Sequence, residues 1–285
     1  MEKEKFYRIL EFNRINKKEI STACMQFYAM LNRQNAFVIP DIQSLAKMLF
    51  TREDYKFVHI PLNSKEIGAC QLRINGQRYL VINTSKSLAN NNFAVAHDLY
   101  HLMIQEYSSE NGIEVYLDNY DEDKNEMYAN AFAGNIMMPS EDFIQTASFI
   151  KNSLSLGNKE EDKAYLNELT MIINLMEYYK TTYMSVVIRF FELELWDKND
   201  VRLVDALLYQ NNEDDQRKIF GQLSKAKGRN SIMEPTKEDD FEILMEEAKV
   251  KAKKLLELGI MTKQDFDYRL RELKGYYESV KGDIR

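Results

Sequence analysis

Only two cysteines, Cys24 and Cys70, occur in 285 residues, and they stand too far apart for a CxxC pair. That excludes a disulfide framework or a thioredoxin-like motif, and the compartment expected is a reducing cytoplasm. Four prolines and ten glycines leave little for low-complexity linkers and favour a chain built mainly of helices. No run approaches the roughly 18 apolar residues that a membrane-spanning helix needs. The charged start, Met1-Glu2-Lys3-Glu4-Lys5, is followed by no apolar signal core, so no export signal and no membrane are expected. Nor is there a basic run with interleaved aromatics. The formal net charge is −7, and neutralising phosphates needs a local positive face, which argues against direct nucleic-acid binding.

The chain is 45% hydrophobic and 29% charged, enough to bury a core in one large domain or two modest ones. Periodicity predicts helices over 13–34 and 40–50, the second with Ile42, Leu45, Leu49 and Phe50 on one side. Residues 55–62, 67–74 and 78–83 then read as strands, and Asn75-Gly76 is a type I′ hairpin signal. A small antiparallel sheet is expected. A helix from Ser87 to about Tyr107, a short strand over 113–117 and a helix over 123–138 follow. Pro139 stops that helix, and Ser140 is the expected N-cap of the next. The polar stretch at 157–161 separates this part from helices expected at 164–180, 184–196, 200–210 and 213–225. After a break at Lys227–Ser231 come two longer helices, 236–257 and 262–282, with Gly259 and Thr262 at their junction. The organisation expected is an N-terminal domain (1–157), a helical subdomain (158–230) and a C-terminal hairpin (231–285).

Two of the three histidines sit in Ala96-His97-Asp98-Leu99-Tyr100-His101. The i, i+4 spacing puts both imidazoles on one helix face, one turn apart, where one ion can meet both. The pair alone is a weak signal, better explained by two hydrogen-bonded histidines on an ordinary helix. A second element changes the balance. Glu126 lies 25 residues after His101 on a separate predicted helix, where Glu126, Ala129, Asn130 and Ala133 share a face. Small alanines there allow the two helices to approach closely. Two histidines from one helix and a carboxylate from the next make a zinc-peptidase ligand set that leaves a fourth position for water. Asn130, one turn after Glu126, is placed to orient a histidine ligand. Asp118, Asp121, Glu122 and Asp123 are alternative carboxylates, read as a solvated loop. Zinc is the expected ion, and the same donors also suit manganese.

The run Tyr79–Asn83, then Phe93-Ala94-Val95-Ala96-His97-Asp98-Leu99-Tyr100-His101, then Glu126-x-x-Ala129-Asn130-x-Phe132-Ala133-x-x-Ile136-Met137-Met138-Pro139 resembles the ImmA/IrrE family of metallopeptidases. That family shows an extended segment, an FxxAHExxH helix and an ExxANxFAxxLLMP helix. The resemblance covers roughly residues 55–140 and is specific in order, spacing and flanks. A weaker one follows, between Tyr178–Leu193 and the helix-turn-helix-like segment that often comes after the site in this family. The resemblance implies an α+β fold: a zincin-like metal domain followed by an all-helical C-terminal extension. It implies His97, His101 and Glu126 as zinc ligands and Asp98 as general base. For a substrate it implies a protein, often a helix-turn-helix transcriptional repressor cut at a specific site in bacterial stress response or mobile-element control.

One position departs from the pattern. The family's general base is a glutamate directly after the first histidine, and here that residue is Asp98. Aspartate has the same acid–base chemistry with one methylene less, so its carboxylate retreats by roughly 1–1.5 Å on an unchanged backbone. Misplacements of about 1 Å can cost on the order of 100-fold in rate. The helix can sit closer and restore the geometry, the enzyme can be slow, or the scaffold can hold metal as a regulatory or binding protein without chemistry.

The remaining candidates read as structural. Tyr100 reads as packing, and His59 as a structural histidine on a strand, with a substrate-side role as its alternative. The candidate recognition helix from Tyr183 to Leu195 offers only Arg189 as a basic residue, among Phe190, Phe191 and Leu193. The terminal segment has an apolar stripe of Phe241, Leu244, Ala248, Ala252, Leu255 and Leu256 opposite many Lys/Glu pairs. It reads as a hairpin with one solvated face, or as a partner surface.

Overall fold

Asn16 ends the first helix: its side-chain amide donates to the Phe12 carbonyl at 2.8 Å, beside its own backbone N–H. Helix α1 (Lys3–Ile15) and helix α2 (Lys17–Met30) therefore replace the single helix expected over 13–34. This computed structural model describes residues 1–64, 67–74, 76–104, 113–116, 123–155, 164–211, 218–228 and 231–281. Outside them lie Asn75, Tyr107, Leu117, Asp118, Asp121, Glu122, the 157–161 loop, residues 213–217, Arg229, Asn230 and Gly282, all of which figured in the sequence reading.

Helix α3 (Ile42–Arg52) starts on Asp41, whose carboxylate accepts from Ser44 N–H at 3.0 Å. Four strands follow: β1 (Tyr55–Ile60), β2 (Ala69–Ile74), β3 (Gln77–Asn83) and β4 (Ile113–Tyr116). Their spatial order is β1-β3-β2-β4. Strands β2 and β3 form the expected hairpin, closed at Ile74↔Gln77 with Gly76 at φ +82°. Strand β4 also pairs antiparallel to β2. The expectation of a wholly antiparallel sheet fails at β1, which lies parallel to β3 from Tyr55↔Arg78 to Ile60↔Asn83. The chain does reverse between β1 and β2, but β3 takes the place beside β1 and the sheet becomes mixed. As an inner strand, β3 has four consecutive buried residues, Leu80 to Asn83.

Helix α4 (Leu88–Ile104) lies across this sheet and helix α5 (Lys124–Met137) packs against it, with Ala129 and Ala133 fully buried in between. A Cβ on Gly68, just before β2, would meet the Ala94 Cβ at 3.2 Å, so sheet and α4 approach closely there. Helix α6 (Ser140–Ser155) begins one residue earlier than a Ser140 cap allows. Ser140 is already helical, and the Pro139 carbonyl accepts the first helical bond from Phe143 N–H at 2.8 Å. The Ser140 hydroxyl instead accepts from Arg189 Nη2 at 2.8 Å.

Helices α7 (Ala164–Tyr179), α8 (Tyr183–Glu192), α9 (Val201–Gln210) and α10 (Ile219–Ala226) complete one apolar core that runs from Phe6 to Ile232. The chain then runs along the sheet before helix α11 (Phe241–Glu257), which starts later than the expected position 236. In that stretch Thr84 Oγ1 donates to the Glu238 carbonyl at 2.6 Å, Asp240 N–H to the His59 carbonyl at 2.8 Å, and Leu88 N–H to the Glu234 carbonyl at 3.0 Å. Helix α12 (Lys263–Val280) opens with a capping box between Thr262 and Asp265, after Gly259 at φ +68°. Among the described residues no helix is long and apolar enough to cross a membrane.

Candidate metal centre

The inner side of α4 is apolar, with Val95, Ala96 and Leu99 fully buried, and this fixes which way the neighbouring face looks. His97 is 2% exposed and His101 lies one turn further on, their ring centroids 4.9 Å apart. Asp123 caps α5 by accepting from Asn125 N–H at 2.8 Å. Glu126 therefore falls in the first turn of α5, where the helix dipole favours a carboxylate.

The three side chains converge. His97 Nε2 lies 3.0 Å from Glu126 Oε2, His101 Nε2 lies 3.2 Å from Glu126 Oε1, and the two Nε2 atoms are 3.0 Å apart. Asn130 Oδ1 accepts from His97 Nδ1 at 3.1 Å, which holds the ring and leaves the Nε2 lone pair facing the other two groups. Burial pushes the Glu126 carboxyl up, but when the imidazoles carry protons on Nε2 in place of an ion, hydrogen bonds from His101 and His97 and their charge outweigh it and hold the group at about 2.

These donors fit a divalent ion. Tetrahedral bonds of about 2.0–2.2 Å to nitrogen and oxygen place neighbouring ligand atoms about 3.3–3.5 Å apart. The three observed separations, 3.0, 3.0 and 3.2 Å, fall just short of that range, so the side chains need to part only slightly to admit an ion. A proton on His101 Nε2 satisfies one of these contacts at a time, whereas a cation among them satisfies all three. His97, His101 and Glu126 form the group whose ligand atoms lie within 4.8 Å of one another, and Asp98 is not a member.

Asp98 is 1% exposed and faces the sheet. Its Oδ1 accepts from Gln71 Nε2 at 2.8 Å, and Gln71 Oε1 in turn accepts from the Tyr55 hydroxyl at 3.0 Å. Sequence reasoning missed Gln71 and Tyr55. The available signal was a lone amide inside β2, one strand before the strand that leads into the site helix. The other candidates fall elsewhere. Tyr100 stacks on Tyr128 and lies beside Phe132, as packing. His59 is held by Asp240, with Nδ1 3.1 Å from Oδ2, and does not join the metal-ligand group. Of the alternative carboxylates, Asp123 is the α5 cap.

Beyond Asn130 a cavity of about 240 Å³ opens between α1, α5 and α8, walled by Ile9, Phe93, Met127, Met184 and Ile188. Arg189 lies at its end but is turned inward. It is 3% exposed, its Nε donates to the Met138 carbonyl at 3.0 Å, and its Nη1 pairs with Glu192 at 3.0 Å. Residues 51–191 match the family model of peptidase M78, the IrrE N-terminal-like domain. No curated protein and no solved structure matches the chain.

Proposed function

The chain belongs, through residues 51–191, to the ImmA/IrrE family of metallopeptidases, and we propose that it is a zinc-dependent endopeptidase acting on a protein substrate. The observation that carries the reading is the convergence of His97 Nε2, His101 Nε2 and Glu126 at 3.0–3.2 Å. These residues would hold the ion, with Asn130 fixing the His97 ring. When bound, zinc supplies a Lewis acid for the scissile carbonyl and lowers the pKa of a water to about 7. Asp98 takes the proton of the attacking water and delivers it to the leaving amine. Manganese is the alternative ion, since two imidazoles and a carboxylate suit both.

The substrate we propose is a helix-turn-helix repressor, cut in the cytoplasm during bacterial stress response or mobile-element control. In this reading residues 1–157 form the metal domain, 158–230 a helical buttress and 231–285 a C-terminal hairpin. Elemental analysis of untagged protein tests the site. About one zinc per chain in wild type, lost in His97→Ala and Glu126→Ala, is the expected result. Wild type without metal even after zinc reconstitution overturns it.

A second reading, a zincin scaffold that binds or regulates without cleaving, is favoured by one observation: a shorter acid stands at the base position and is tied to the sheet. Asp98→Glu and Asp98→Ala separate the two. Loss of cleavage in the alanine variant supports the enzyme, and unchanged function in that variant supports the scaffold.

A further inference from the structure

We propose that Gln71, itself held by Tyr55, is the positioning residue that sets the orientation of the Asp98 carboxylate. The catalytic consequence rests on the peptidase reading above, but the orientation itself does not.

An aspartate carboxylate turns easily about its last bond. Its last torsion joins an sp³ to an sp² carbon and is broad, so a helix backbone alone does not fix where the two oxygens point. Something outside the helix has to do so. Asp98 stands one turn after Ala94 on α4, and both therefore face the sheet. The Ala94 side chain meets the chain just before β2, where a Cβ at position 68 would come within 3.2 Å of the Ala94 Cβ. Three residues further along, Gln71 faces Asp98 at hydrogen-bond distance. The tether thus stands near a close approach of helix and sheet, and the strand pairing steadies it: Gln71 is paired with Leu80 of β3 on one side and Tyr116 of β4 on the other.

The amide has one workable orientation. Asp98 is an acceptor when ionised and needs the NH₂ end, which leaves Oε1 for the Tyr55 hydroxyl to donate to. The reverse orientation would set an amide oxygen against a carboxylate. Tyr55 and Gln71 are 5% and 3% exposed, so water does not replace either partner freely. A buried glutamine spanning sheet and helix in this way restricts where the Asp98 carboxylate can be.

Three variants of the full chain test this, all loaded with zinc: Gln71→Met, of similar length without the donor; Gln71→Glu, isosteric but acidic; and Tyr55→Phe. Each should retain about one zinc per chain, because the ligands sit on α4 and α5. Crystal structures of wild type and Gln71→Met should differ in the Asp98 carboxylate orientation, and an unchanged orientation overturns the proposal. With fluorescein-casein as the probe, kcat should fall on the order of 10- to 100-fold in both Gln71 variants, with KM within about 2-fold. Tyr55→Phe should fall by less, and it retains its edge-on packing against Phe50, so it serves where a Gln71 variant does not fold. An unchanged kcat in Gln71→Met also overturns the proposal. If wild type cleaves no casein, the peptidase reading loses ground while the carboxylate comparison still decides this one.

Discussion

At the scale of single residues, His97 depends on a neighbour that need never touch an ion. Asn130 Oδ1 holds the His97 ring by Nδ1, one turn along α5 from Glu126, so ring orientation and ligand placement come from the same helix. Asn130→Ala should leave the fold intact and weaken zinc binding by about 10- to 100-fold, read by competition with a chromophoric chelator. Equal affinity in the two proteins would mean that packing alone holds the ring. The pairs His97/His101 and Glu126/Asn130 were legible because i, i+4 spacing on a helix is a purely local property, and it was the resemblance of the two motif blocks to a known family that joined the pairs across 25 residues. Gln71 and Tyr55 were not. Their connection to Asp98 depends on which strand lies under α4 and in what register, across a separation of 27 residues between Gln71 and Asp98.

At the scale of elements, α8 shows how a plausible motif can conceal a packing role. Tyr183, Phe190 and Phe191 are buried, and Arg189 fastens α8 to the elbow between α5 and α6 through Met138 O and Ser140 Oγ. Arg189→Leu leaves Glu192 in a largely buried setting without its cation, which should destabilise the protein by about 3–5 kcal/mol in urea unfolding. A recognition helix would behave otherwise: the same variant would keep its stability and lose affinity for duplex DNA. The helices themselves were mostly foreseen, since apolar periodicity reports them directly. Strand order was not, because alternation tells which face of a strand is buried and says nothing of its neighbours. The late start of α11 was hidden for a related reason. Residues 236–240 make their backbone bonds to Thr84 and His59, partners that only the folded sheet supplies.

At the scale of the whole molecule, the terminal hairpin has its own small apolar cluster of Phe241, Met245 and Tyr277, and polar contacts fasten it to the sheet. Lys56 pairs with Glu247 and Asn63 N–H donates to the Val280 carbonyl, while within the segment Asp239, at the entry to α11, is engaged by the Tyr277 hydroxyl and by Lys281 at the end of α12. Burial pushes the Asp239 carboxyl up, but Tyr277, the Phe241 N–H and Lys281 outweigh it and hold the group below the ordinary carboxylate range. A depressed folded value means the stabilisation is present above the unfolded pKa of about 3.9 and is lost as pH falls through the folded one. The hairpin clasp should therefore loosen in acid before the main core does. Hydrogen exchange reads this most directly at the Asn63, Leu88 and Ala89 amides, whose acceptors lie in 231–281. Their protection relative to α7 should drop as pH falls below about 4 in wild type. In Asp239→Asn the side chain is neutral throughout, so the same amides should already be less protected at pH 6 and change little further on acidification. Loss of protection in α7 at the same pH as in the clasp would mean that the whole chain unfolds in acid and that the hairpin is not a separately releasable element. Early release would instead mark the hairpin as a low-stability unit, attached through residues that lead directly into the helix carrying His97.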